Sequence, residues 1–129
     1  MDPRALTVTF NEHINNRDLD GLAALMTDDH TFIDTAGHVI HGKSTCLEVW
    51  RRFFTSFPDY QNVFDSLAVE DDSVVVVGHS ICSDARLDGP ALWVAKASDD
   101  KLAEWRVYED TPANRRTLGI AASSLSGER

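Results

Sequence analysis

Hydrophobic periodicity changes once along this chain, near Pro58, and that change restricts the folds open to it. Before Pro58, apolar residues mostly recur at helical spacing. Leu6, Phe10 and Ile14, separated by Asn, Glu and Arg, predict an amphipathic helix over roughly residues 3–16. Asp18 suits an N-cap, and Leu19, Leu22, Ala23 and Met26 line one face of a short second helix. "DDHTFID" reads as a short strand with Thr31 and Ile33 on one side and Phe32 and Asp34 on the other, and "TAGHVIHG" as a turn and return strand. A third helix has Ser44 or Thr45 as its cap, carries Leu47, Trp50 and Phe54 at helical spacing, and stops at Pro58. Beyond Pro58, "YQNVFDSLAVE", "SVVVVGHSICSDA", "PALWVAKAS" and "LAEWRVYED" are period-two or continuously apolar, and short polar turns separate them. Helices first and an antiparallel meander after predict an α+β fold, with helices packed on one face of the sheet.

The 129 residues suit a single domain able to bury a real core, with a frayed tail expected from Asn114 onward. A net charge of -9 disfavours nucleic acid and anionic membrane surfaces as partners. No apolar run reaches the roughly 20 residues of a membrane span, and "MDPRALTVTF" has no leader pattern, so a cytoplasmic location is expected. Cys46 and Cys82 are too few for a disulfide framework or a zinc ribbon and read as small buried residues.

In "KLAEWRVYED", alternation places Ala103, Trp105 and Val107 on an apolar face that should meet the helices. Leu102, Glu104, Arg106 and Tyr108 fall on the opposite face. The latter, polar but aromatic, suits water or a partner subunit, hence an expected homodimer. Trp93 between Ala91 and Ala95 leaves room beside a large ring, the makings of a cavity wall.

"FNEHINNRDLDGLAALMTDDHTFIDTAG", "HG", "FPD" and "KLAEWRVYED", in that order and spacing, resemble the SnoaL-like branch of the nuclear-transport-factor-2-like (ketosteroid-isomerase-like) superfamily, over roughly residues 5–112. The resemblance implies a cone: a strongly curved antiparallel sheet closing around helices and leaving a deep apolar pocket. It also implies that Asp34, in Thr31-Phe32-Ile33-Asp34-Thr35-Ala36-Gly37, takes the position of the isomerase general base. The alternative is a strand-end carboxylate bonded to turn amides. The positions of the family's oxyanion donors hold Phe10 and Trp93, which argues against steroid isomerisation by that mechanism.

The reading favoured from sequence is therefore a small-molecule enzyme performing cofactor-free acid–base chemistry, isomerisation or polyketide-cyclase-like, on an apolar cyclic or carbonyl compound. Asp34 would be the base and His13 its acid–base partner. Phe10, Trp50, Tyr60, Trp93 and Trp105 would form the binding walls. The alternatives are a non-catalytic ligand-binding or dimerisation protein and, third, an epoxide hydrolase, for which only Arg106 and Asp110 offer themselves. His79 is a weaker candidate whose sheet face alternation leaves open. His38 and His41 fall on opposite faces of an extended segment, so no metal site is expected among His30, Asp34, His38 and His41.

Overall fold

The computed structural model describes residues 1–120. Helix α1 (Pro3–Asn15) starts where Asp2 accepts a hydrogen bond from the Ala5 amide at 2.8 Å and Pro3 presets the first turn. It buries Leu6, Phe10 and Ile14 completely, each worth about 1.5–3 kcal/mol of transfer free energy. Asp18 caps α2 (Leu19–Leu25) as expected. Strands β1 (Met26–Ile33) and β2 (Val39–His41) precede α3 (Lys43–Ser56). Neither Ser44 nor Thr45 caps α3: Gly42 holds the N-cap position at φ +98°, where a side chain would strain the backbone.

The meander consists of β3 (Gln61–Glu70), β4 (Ser73–Ile81), β5 (Gly89–Ser98) and β6 (Lys101–Glu109). Asp71 and Asp99 take left-handed conformations in the two tight turns. The sheet order is β2-β1-β6-β5-β4-β3, antiparallel except where β1 runs parallel to β6. Helix α1 lies against β3 to β6, and α3 against β1 and β2, so the sheet wraps the helices as an α+β cone.

Three irregularities bend this sheet. Phe64 pairs with Gly78 but Ser66 with Val77, leaving Asp65 as an extra residue in β3. Ala97 pairs with Leu102 but Lys96 with Glu104, leaving Ala103 extra in β6. Met26 pairs with Leu102 but Thr31 with Glu104, the widest slippage of the three. Bulges increase local twist and flip the inward-facing set. They correct the sidedness expected for β6: Leu102 is fully buried in the same core as Trp105, because alternation restarts after Ala103.

Residues from Asn114 onward do not begin as a frayed tail. Thr111 caps a further helix, α4 (Pro112–Thr117), and Arg115 grips Asp110 through two hydrogen bonds of 2.7 and 2.9 Å. The rest of the expected tail, 121–129, lies outside the described residues.

Candidate functional site

The concave side of the sheet and α3 enclose a cavity of about 300 Å³, at the lower end of the range for ligand pockets, roughly 300–1,000 Å³. Helix α3 contributes Val49, Trp50 and Phe53, one face of a helix with residues three and four apart. β1 and β2 contribute Phe32 and Ile40. Trp93 of β5 and Trp105 and Val107 of β6 form the sheet wall. Tyr60, Asn62 and Leu87 complete it, and Asp34 and Thr35 lie at the turn after β1. The lining is overwhelmingly carbon, with Asp34 its single carboxylate among the described residues.

The aromatic groups are braced from behind. Phe10 lies 4.6 Å from the Trp105 ring, and Phe64 lies 5.3 Å from Trp93 and 6.3 Å from Trp105. Trp50 contacts Phe32, Phe53 and Phe54 within 5.8 Å. Gly78 permits this arrangement: a Cβ there would sit 2.1 Å from the Val63 carbonyl oxygen, so β3 can approach β4 closely at the Asp65 bulge and present Phe64 inward.

Four expected wall residues, Trp50, Tyr60, Trp93 and Trp105, line the cavity. Phe10 does not; it stands behind Trp105 as second-layer packing. His13 is not at the pocket either. Three residues beyond Phe10 the helix has turned it toward α2, where its Nδ1 is 3.4 Å from the Asp18 carboxylate and its ring covers Gly21. His13 and Asp34 are therefore not acid–base partners in this arrangement. His79 lies on the convex face, 3.3 Å from Asp65. His38 and His41 diverge, the former to Asp34 and the latter to Thr31. Asn62 and Phe53 are lining residues the sequence reading passed over. Asn62 had a signal, since Tyr60, Asn62 and Phe64 alternate inward and a polar member of such a set is anomalous.

Asp34 occupies the pocket mouth, but its carboxylate is committed to the turn. Oδ1 accepts from the Ala36 and His38 amides, each at 2.9 Å, and Oδ2 lies 3.1 Å from His38 Nδ1. Partial burial pushes its pKa up, but the hydrogen bonds from His38 and Ala36 outweigh that and hold it below the usual value. This is opposite in sign to the expectation for a pocket-buried base. Asp34→Asn is accordingly expected to lower stability at neutral pH by about 0.5–1 kcal/mol, solvent exposure trimming the value of charged hydrogen bonds. Because the folded-state pKa is lowered, the contribution is present above the ordinary aspartate pKa and lost as pH falls through the folded value. Urea denaturation at neutral pH and at progressively lower pH checks both the loss and its decline in acid.

A second buried ionisable group lies off the pocket. His30 is completely buried beneath Phe10, and its Nδ1 lies 2.6 Å from the Leu102 carbonyl, which can only accept, so Nδ1 carries the proton. Nε2 has no partner. Burial depresses its pKa, outweighing the opposing pulls of the Leu102 carbonyl and Asp29. A lowered folded pKa means full stability above the ordinary value of 6.5, with loss as the pH falls below it. Compared with His30→Leu, the wild type should lose stability on acidification at a rate approaching about 1.4 kcal/mol per pH unit. Equal pH slopes for the two proteins would contradict this.

Among the described residues no three His, Cys, Asp or Glu side chains gather closely enough to hold a metal ion. No helix among them is long and apolar enough to cross a membrane.

An aromatic pocket inside a helix-filled cone of mostly antiparallel strands is the nuclear-transport-factor-2-like, or cystatin-like, fold. The sequence matches the SnoaL-like domain over residues 8–116, and the chain belongs to that family. Among curated proteins no sequence matches it. Similar solved structures include a candidate polyketide cyclase from Sinorhizobium meliloti, 14% identical over 80% of this chain and 93% of the other, with a TM-score of 0.73. An uncharacterised cystatin-fold protein from Novosphingobium aromaticivorans is 19% identical over 84% and 99%, with a TM-score of 0.73. A hypothetical protein with a ketosteroid-isomerase-like fold from Catenulispora acidiphila, in complex with trimethylamine, is 13% identical over 95% and 98%, with a TM-score of 0.69. At these identities the likeness is one of fold.

Proposed function

We propose that the protein binds a small, largely apolar, ring-bearing molecule in the cone. The observation that carries this is the cavity: about 300 Å³, walled by aromatic and aliphatic side chains, with Asp34 the one carboxylate on its lining among the described residues. Apolar ligands gain from such walls in proportion to the area they remove from water. All three tryptophans of the chain line the cavity, so tryptophan emission reports occupancy directly. Titration with a bicyclic aromatic hydrocarbon or ketone should change that emission saturably. An unchanged spectrum up to the solubility limit of both would overturn the proposal.

Cofactor-free acid–base turnover, as in an isomerase or cyclase, is the second reading. It is favoured by the position of Asp34 on the lining and by the description of the Sinorhizobium relative. Binding ranks ahead of it because a carboxylate held by three donors, with a lowered pKa, is a weak base toward a carbon acid. Catalysis would require substrate to draw Oδ2 away from His38. Asp34→Asn separates the two readings: binding retained with turnover abolished supports the enzyme. The epoxide-hydrolase alternative finds no support in the pocket. Asp110 pairs with Arg115, and Arg106 lies over the Tyr108 ring at 4.5 Å, with neither group on the lining.

The convex sheet face suits a second copy of the chain, and a homodimer is part of this proposal. Val63 and Ile81 are exposed there beside His79 and Asp65, and the Arg106–Tyr108 stack lies on the same face. Aromatic and Arg side chains around exposed aliphatics are typical of interface cores. Light scattering at micromolar concentration is expected to report twice the 14.3 kDa chain mass. The single-chain mass would remove the dimer.

A further inference from the structure

We infer that the loop between β4 and β5, residues 82–88, is a hinged lid on the pocket, held shut by a latch at Asp59, and that ligand enters and leaves where it lifts. This rests on the binding reading above and adds to it the control of access.

The wall is thin at this loop. Leu87 is its one contribution to the cavity lining, and that side chain is half-buried against the core. Ser83, Ala85, Arg86 and Asp88 around it are exposed. The loop is also stitched to itself. The Leu87 amide donates to the Asp84 carbonyl at 3.0 Å, and the Arg86 guanidinium grips the Asp84 carboxylate at 2.6 and 3.0 Å. The Cys82 amide donates to Asp88 Oδ1 at 3.0 Å, which joins the two stems. A unit tied internally can swing without breaking its own bonds. Strand pairing ends where Ser80 meets Gly89, and Gly89 takes a φ of +128°, open to a residue without a side chain. Small residues at element ends of this kind absorb hinge rotation.

Among the described residues, the loop's hydrogen bonds to the body of the domain all go to Asp59, the last residue of Phe57-Pro58-Asp59. One carboxylate oxygen accepts from the Ser83 amide at 3.0 Å, and the other from the Cys82 thiol at 3.4 Å. Through the Cys82–Asp88 bond, a hold on the first stem is also a hold on the second, which carries Leu87. Asp59 itself stands between fixed neighbours. Arg17 donates to the Pro58 carbonyl at 2.6 Å and to the Asn15 carbonyl, at the end of α1, at 2.8 Å. The Tyr60 ring packs 4.8 Å from Phe53, and its hydroxyl lies 3.2 Å from that of Ser80. The carboxylate is therefore the fixed half of the latch and the loop the moving half. The turn at Asp34, across the mouth, is tighter. The Asp34 amide donates to the His38 carbonyl at 3.1 Å, leaving only Thr35, Ala36 and Gly37 beyond the pairing.

Opening precedes both entry and exit, so easing it scales the association and dissociation rates together and leaves affinity alone. The test mixes indane with the intact protein by stopped flow and follows tryptophan emission. Asp59→Ala is expected to raise both rates by about fivefold, the worth of one ordinary hydrogen bond, with Kd unchanged. Asp59→Asn keeps an oxygen acceptor for the Ser83 amide and should fall between. Asp59→Cys acts in the opposite direction, because it places a thiol beside Cys82. Oxidised glutathione takes two electrons and two protons from that thiol pair, leaving a disulfide across the latch, which intact mass verifies. The crosslinked protein should exchange indane more slowly than the wild type, and dithiothreitol should restore fast exchange in the same sample. This comparison decides the matter if Asp59→Ala folds poorly. Saturable indane binding with rates untouched by Asp59→Ala and by the crosslink would overturn the lid and leave the pocket intact. Faster dissociation alone, with affinity lost in proportion, would make Asp59 a support of the wall and overturn the lid as well. No response of the wild type to indane would remove the binding reading and the lid with it.

Discussion

Trp105→Ala is expected to lower the free energy of unfolding by about 4 kcal/mol. The indole is fully buried and packs against Phe10 and Phe64, rings held by α1 and β3, two elements far apart in the sequence. Deleting it removes its transfer free energy and leaves a void that the curved sheet cannot collapse into, since β6 is locked between β1 and β5. Urea denaturation measures the loss, and Trp105→Phe should retain most of the stability. A second effect follows from position. The void adjoins the ligand cavity, so alanine should relax size discrimination and admit a larger hydrocarbon that the wild type rejects. A loss below about 1 kcal/mol would mean that Trp105 is not the wedge between helix and sheet.

Gly78→Ala is the other large expected effect, about 3 kcal/mol from a single methyl group. The added carbon would meet the Val63 carbonyl oxygen at 2.1 Å, a backbone atom with no rotamer to escape into. Relief requires separating β3 from β4 where Phe64 pairs with Gly78, beside the Asp65 bulge. Phe64 would then withdraw from Trp93 and Trp105, so ligand affinity should fall together with stability. Ala substitution at Gly37, where no atom lies within 4 Å, is the control for conformational cost alone, because its φ of +84° is strained for any side chain. Gly78→Ala with stability within about 0.5 kcal/mol of wild type would show that the strands part easily there.

Local chemistry was enough to place most of the elements. Leu6, Phe10 and Ile14 at helical spacing, Asp18 as a cap, Pro58 as a stop and the Asp71-Asp72 and Asp99-Asp100 turns are signals that act within a few residues. Each was legible because the physics is short-range: side-chain period, cap geometry and the cost of a positive φ. The order of helices and strands then implied an α+β fold with helices on one face of the sheet, and the cone followed from the family resemblance. The lining status of Trp93 and Trp105 was equally accessible, since large rings on the inward face of a hollow sheet have few other places to go, and Trp50 joins them from the inner face of α3.

Tertiary structure decided the rest, through contacts between distant segments. The bulges at Asp65 and Ala103 exist only because one strand must match a differently curved neighbour, and they moved Leu102 from the outer face to the core. Phe10 became backing for Trp105 because the Trp105 ring, and not Phe10, reaches the cavity lining, and His13 was turned to Asp18 by where α2 docks. The fate of Asp34 hung on one local choice that residue type leaves open. A carboxylate among Phe, Ile and Ala can face a cavity or fold back on its own turn. Three donors within 3.1 Å, two of them amides presented by the turn into β2, outweighed desolvation and settled it for the turn.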